Sequence, residues 1–509
     1  MNNKNLLYIF FFLLIAYLVI NTGLVSDDFE AMTSSQSASF KNILIPHGNF
    51  YFIDVPVMHF THYLWYHFFN ILSAVAVNIV KIAYIILAFY MVAQFFKIYM
   101  DEALAILASF LFIFFPSHDS TVYMFMCQYL TLTFAFYLYA YYLAHNNKLT
   151  LAFLAALIAS FISYGSTPLA IALFALFIMN KSYKKAAVII IPNIIYAAYF
   201  ITVTMFMKIG HPRTLEALSI TAVMKQYILQ ILTFVDAVCG PQMWLKVYYS
   251  FSQLSLQSIV AGLIFSLICY KIIKGSAARY NLKLVISLFI LVALSFGVFA
   301  LTGRYPQLCF NLGNRVTIYG ALLLTYLIVL VPAPKLVKYA IVILLIFTVL
   351  GISDHWKRWN VHQQKVICNM RDNKDLQAYN DKRVLYFAGN QYSKYGPMSH
   401  IEFLSEAWVP NCILKLMLGK TVVTSPISRR FKYENGCLVD TKYNSSSEVD
   451  RYINIYDSER NELFQVDAEY INGYIDTLPL DKRHWVQVIG NARVRDIALK
   501  LMPRLRYAF

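Results

Sequence analysis

Charge is what this sequence has least of. Only 14% of its 509 residues are Asp, Glu, Lys or Arg and 59% are hydrophobic, where a soluble domain carries about 25% charged residues. Such a chain is excluded from the water-soluble globular class and reads as embedded in lipid. Acid is scarcest of all. Residues 1–353 hold 20 Lys and Arg but only nine Asp and Glu, whereas residues 354–509 hold 23 and 18. The first part is basic for want of acid. No dense basic stripe with interleaved aromatics occurs, which argues against a nucleic-acid partner and leaves membrane lipids and phosphate groups. The seven Cys form no CxxC and no Cys/His metal spacing. Of the three in the tail, Cys368, Cys412 and Cys437, at most one pair can bridge alone. Cys412–Cys437 is the candidate in an oxidising compartment. Neither a Gly-rich phosphate loop nor an internal repeat is visible.

What the chain does have is apolar length and aromatics, 38 Tyr and 39 Phe, which suit membrane interfaces and apolar packing. A span needs about 20 apolar residues. Eleven stretches qualify: 5–22, 70–96, 103–116, 122–144, 149–163, 167–180, 186–206, 252–270, 284–302, 317–333 and 336–353. The shortest, 103–116 and 167–180, are the least secure crossings. The first has Lys4 ahead of it like a signal peptide, but no A-x-A-type site follows, so it reads as an uncleaved first helix. With eleven crossings, Lys4, Lys97, Lys148, the 181–185 cluster, the 271–283 loop, Lys335 and Lys338 all share one side, the cytoplasm. The expected organisation is a transmembrane domain, 1–353, with a long first outer loop, 23–69. A small α/β domain, 354–509, follows on the outer side. In that domain 384–387, 421–424, 437–439 and 485–489 read as strands, and 400–418 as a helix ended by Gly419.

The unusual residues gather on the outer side. Three of the nine acids of the first part, Asp27, Asp28 and Glu30, sit directly after the first span. They could simply cap a helix starting at Phe29, since acids are common at helix N-termini. The sharper reading is a general base at the membrane face, with one carboxylate taking a proton and its neighbour orienting the acceptor or raising its partner's pKa. The loop continues through His47 to an aromatic, His-rich piece around His59, His62, Trp65 and His67, which reads as an amphipathic surface helix. Its histidines lack a carboxylate at ligand spacing, so interfacial aromatics outweigh a metal site. His118 and Asp119 form a second acidic site, open to orienting substrate or holding a divalent cation with Asp27; a turn after Pro116 explains them equally. An outer loop expected at 207–251 carries Lys208 and Arg213, and the 303–316 loop carries Arg304 and Arg315. Each base could hold a phosphate or merely snorkel. Arg315 is the sharpest, because it opens an apolar span where an unpaired charge is costly.

A first span running into paired acids, a long first loop with a surface helix, about eleven spans and an outer C-terminal domain resemble the class C (GT-C-like) membrane glycosyltransferases. The residues carrying the match are Ser26-Asp27-Asp28-Phe29, Asp119 and Gly313-Asn314-Arg315. Within that class the layout is most similar to bacterial serotype-converting O-antigen glucosyltransferases of the Gtr type. The resemblance implies an inner-membrane enzyme with a periplasmic active site and a cytoplasmic N-terminus. It implies inverting transfer of a sugar, often glucose, from undecaprenyl phosphate to a lipid-linked glycan. Asp27 or Asp28 would be the base, and Arg315, Arg304 and Arg213 the donor-phosphate ligands. Asp119, His118, Glu30 and His47 would be acceptor or second acidic-site residues. A flippase and a donor synthase would be partners, and no metal or other cofactor is implied. An O-antigen polymerase and a lipid-linked sugar transporter are the alternatives; a transporter would require ionisable residues within spans, where Lys81 and Asp236 are the few candidates, with Asp236 expected in a loop.

Overall fold

The apolar stretches fold as helices because a backbone in lipid must satisfy its own hydrogen bonds. The structure is a computed structural model describing residues 3–37, 55–69, 73–207, 219–275, 280–303, 306–330, 334–441, 445–479, 485–488 and 492–501. Each of the eleven expected stretches is represented by a helix. They are Asn3–Val19, Ala74–Phe96, Glu102–Ile113, Phe125–His145, Leu149–Ile162, Thr167–Met179, Tyr183–Met207, Leu256–Gly275, Leu282–Thr302, Ile318–Leu330 and the first half of Lys335–Asp372. Ser73, Asp101 and Asn281 cap three of them by accepting the N–H of Ala76, Leu104 and Leu284. Among the described residues, seven segments are long and apolar enough to cross a membrane, which makes this a multi-pass membrane protein. Several others, such as Glu102–Ile113 with 12 residues, reach only about 18 Å at 1.5 Å per residue.

Two expectations for the membrane part need correction. The 207–251 loop contains the 19-residue helix Ile220–Val238 and the helix Pro241–Gln253. Together these make one of the seven apolar segments. The polar residues that disguised the run are turned toward protein: Gln230 accepts from Gln307 Nε2 at 2.8 Å, and Thr233 Oγ1 accepts the Gln307 N–H at 3.2 Å. Asp236 lies in the helix's last turn rather than in a loop. It accepts the backbone N–H and the side-chain amide of Gln242 at 3.3 and 2.6 Å. Secondly, the last span does not stop at 353; its helix continues to Asp372.

The chain divides into two units. The first comprises 1–23, 35–309 and 313–355, the second 24–34, 310–312 and 356–509. The acidic segment after the first helix therefore belongs with the C-terminal residues. In the first unit, Phe11, Phe89, Phe110 and Phe265 form an aromatic centre with ring centroids 5.0–5.6 Å apart. Gly351 lets two helices meet closely: a Cβ there would sit 2.1 Å from the Ser250 carbonyl, the small-residue contact typical of membrane helices.

In the second unit, β1 (Leu385–Ala388) lies between β4 (Thr424–Pro426) and β8 (Tyr452–Asp457), parallel to both, and β9 (Glu462–Asp467) adds antiparallel to β8. β2 (Tyr392–Tyr395) pairs with β3 (Met398–Glu402), and β5 (Phe431–Glu434), β6 (Cys437–Asp440) and β7 (Ser445–Glu448) form an antiparallel meander. Tyr386, Ile427, Phe431, Leu438, Ile453, Ile455 and Ile471 share its core. The expected strands 384–387 and 437–439 are present, and 421–424 only at its last residue. The expected helix 400–418 splits into β3 and the helix Trp408–Leu418, ended by Gly419 at φ 67°. Pro410 explains the late start, since it fits a first helical turn but would break an interior. The expected strand 485–489 is instead a short helix, Trp485–Val488. Cys412 and Cys437 are both free thiols.

Candidate functional site

The acidic segment opens the helix Asp27–Ser37, with Asp27, Asp28 and Glu30 all in its first turn. There the helix N-terminus favours negative charge. The chain enters that turn through Ser26, buried and at φ 47°. A side chain in this left-handed region costs about 1–2 kcal/mol, and such conformations collect at functional sites. The twist separates the two aspartates. Asp28 is fully buried, and its Oδ2 accepts the Val25 N–H at 2.9 Å while its own N–H returns to the Val25 carbonyl at 2.9 Å. Asp27 stays half-exposed, and its Oδ1 accepts the indole N–H of Trp408 at 3.1 Å. In the same turn, Phe29 packs by Phe403 with ring centroids 6.4 Å apart. The half-buried Glu30 has its carboxyl pushed up to about 7, first by burial and then by the negative charge of Asp27. Burial, with Glu30 nearby, also raises the Cys412 thiol.

The first unit holds a second constellation. Lys246 and Asp119 form an ion pair at 2.6 Å, with side chains 0% and 4% exposed. Asn314 donates its amide to the same Asp119 oxygen, and Lys246 also donates to the Cys309 carbonyl at 2.6 Å. Ser120 closes the group on Asn314 through its N–H and hydroxyl. Two charges buried together need this many partners to offset their desolvation. Lys81, likewise buried, donates to the carbonyls of Gly23 and Tyr123. Arg315 is half-buried, with Nη1 3.5 Å from the Cys127 sulfur. His118 holds its own turn, with ring nitrogens 2.8 Å from Thr121 Oγ1 and 2.9 Å from the Phe112 carbonyl.

The structure thus groups Asp27, Asp28 and Glu30 in one unit, and Asp119, His118, Asn314 and Arg315 in the other. Arg304, Arg213, Lys208 and His47 lie outside the described residues. Where a surface helix is expected there is a helix, Pro56–Phe69, with Trp65 Nε1 donating to the Tyr84 hydroxyl at 2.5 Å. His62 is fully buried against Phe125 and Tyr129, with ring centroids 5.2 and 4.9 Å away. Among the described residues, no group of three or more His, Cys, Asp or Glu side chains is placed to hold a metal ion.

No protein-family model and no curated protein matches this chain.

Two participants escaped sequence reading. Lys246 lies in the segment expected as a loop, although a lone Lys in the aromatic run Trp244-Leu245-Lys246-Val247-Tyr248-Tyr249 is a signal in itself. Trp408 lies 381 positions from Asp27, and no local pattern joins them.

Proposed function

We propose that the protein is an inverting glycosyltransferase of the GT-C type, moving a hexose from undecaprenyl phosphate to a lipid-linked glycan, O-antigen or another, at the outer face of a bacterial inner membrane. About eleven spans would carry it, with the N-terminus cytoplasmic and the C-terminal domain periplasmic. The observation supporting this reading is the split of the aspartate pair at Ser26, which leaves Asp27 half-exposed on the indole of Trp408 and commits Asp28 to the backbone.

Asp27 is then the general base. It takes the proton of the acceptor hydroxyl, whose oxygen bonds to the anomeric carbon as the bond from that carbon to the phosphate oxygen breaks. The polyprenyl phosphate leaves with the electron pair, and Arg315, with Arg304 and Arg213, is assigned to its charge. Glu30, with a carboxyl near 7, can hold a proton beside the base at neutral pH.

Mass spectrometry of the surface glycan tests this. Cells with Asp27→Asn are expected to lose the hexose, since a general base contributes about 10²–10⁴-fold. Asp28→Asn keeps an oxygen for the Val25 N–H and is expected to retain it. A normally expressed Asp27→Asn protein that still adds the hexose would end the assignment. A transporter of lipid-linked sugars is the second reading, favoured by the buried Lys81 and the Asp119–Lys246 pair. It predicts sugar-lipid movement in vesicles without any acceptor.

A further inference from the structure

The C-terminal domain contains a cleft of about 180 Å³, roughly six times the ~30 Å³ share of a liquid water molecule. One wall is a face of the β5–β6–β7 meander. Side chains alternate across a strand, and the register sets Phe431 against Asp440, Asp440 against Ser445, and Leu438 against Ser447. All five residues line the cleft. The opposite wall runs from Glu406 to Trp408, where the Trp408–Leu418 helix begins, and includes Ser425 and Pro426 of β4.

The polar groups of this cleft are fixed. Glu406 and Asp440 are 4% and 7% exposed. Arg430 lies between them, its Nη2 3.1 Å from Asp440 and its Nη1 4.0 Å from Glu406. The guanidinium also rests 5.2 Å from the Phe431 ring centroid. Two carboxylates against one guanidinium leave the cleft net negative, which disfavours a phosphate or another anion. Converging acceptors, a forked donor, serine hydroxyls and an indole wall suit a ligand that donates and accepts through many hydroxyls and has an apolar ring face. The same Trp408 bonds Asp27, so cleft and acidic turn share a residue.

We propose that this cleft is a saccharide-binding subsite taking one neutral sugar ring. It rests on the transferase reading only in making that sugar part of the acceptor glycan.

Saturation-transfer NMR on the full chain tests it, in a detergent without a sugar headgroup. The probe is the lipid-free oligosaccharide released by mild acid from the producing cells' surface glycan. Wild type is expected to bind saturably. Ser447→Trp and Ser445→Trp place bulk into the cleft from exposed strand positions and are expected to weaken binding at least about tenfold. Ser446→Trp, on the other face of the same strand, is expected to bind as wild type. Thermal unfolding midpoints identify any variant that fails to fold, and either cleft variant alone suffices. Absence of saturable binding by wild type, equal binding by the folded cleft variants, or displacement of the sugar by inorganic phosphate would overturn the subsite. Asp27→Asn is expected to keep binding. Saccharide binding together with an unchanged glycan in Asp27→Asn cells sinks the transferase reading and leaves the cleft. A lost hexose without saccharide binding does the reverse.

Discussion

Asp27 and Asp28 are chemically identical neighbours, and only the backbone tells them apart. At φ 47°, Ser26 turns one carboxylate into the protein and leaves the other half-exposed. A glycine would adopt that conformation freely. Ser26→Gly is therefore expected to raise the thermal midpoint of the full chain, through relief of about 1 kcal/mol or less of net strain. It should lower hexose transfer if the fixed conformation aims Asp27. Glu30 gives a prediction in pH. Its carboxyl is raised from 4.5 to about 7 in the folded protein. The folded state thus holds this proton more tightly than the unfolded chain, and the contribution to stability is complete below about pH 4.5 and is lost as pH rises through about 7. Glu30→Gln mimics the protonated form at every pH. The gap in unfolding midpoint between variant and wild type is expected to open in the variant's favour from about pH 4.5 and level off above about 7. A gap that stays constant with pH would show that Glu30 is not shifted.

Among the elements, the buried cluster around Asp119 joins three stretches of sequence that the eye does not connect. Asp119 follows the third apolar stretch, Lys246 sits in Pro241–Gln253, and Asn314 precedes Ile318–Leu330. Breaking one side of a buried ion pair costs about 3–5 kcal/mol, whereas replacing both sides by apolar residues of similar size is often neutral. Lys246→Met and Asp119→Leu singly are expected to reduce the folded yield and unfolding midpoint, and the double variant to recover most of the loss. If the double variant is as poor as the sum of the singles, Asn314 and the Cys309 carbonyl, not the pair, carry the cluster. The sequence marked Asp119 and Asn314 but missed Lys246, and the reason is physical. Long uninterrupted apolar runs announce membrane helices, so most of the helices could be read directly. Ile220–Gln253 could not, because Lys225, Gln230, Thr233 and Asp236 interrupt it. Gln230 and Thr233 are satisfied by Gln307, more than 70 positions along the chain, and that information is absent from a local window. The C-terminal domain was harder for the same reason: its strands are three to six residues long, too short for periodicity to separate β3 from the helix that follows.

At the scale of the whole molecule, the same misread segment bears on sidedness. The proposed topology counts eleven crossings, with everything between Met207 and Leu256 outside. Ile220–Val238 has 19 residues and spans about 28 Å at 1.5 Å per residue, close to the hydrocarbon thickness of about 30 Å. Pro241–Gln253 has 13, about 20 Å by the same rise. If the first crosses and the second does not return, parity inverts, and the C-terminal domain with its cleft changes sides. The positive-inside bias argues against that. Lys271, Lys274 and Lys283 follow the segment, and Lys181, Lys184 and Lys185 precede it. An inverted second half would put one of these clusters on the outer face. Periplasmic reporters inserted at 214 and at 255 decide between the two. The proposed topology requires both to be active, with a reporter after Phe509 active as well. A reporter at 255 that is silent while the one at 214 is active would make Ile220–Val238 a true crossing. Together with a silent reporter after Phe509, that result would place the C-terminal domain in the cytoplasm, out of reach of a periplasmic donor.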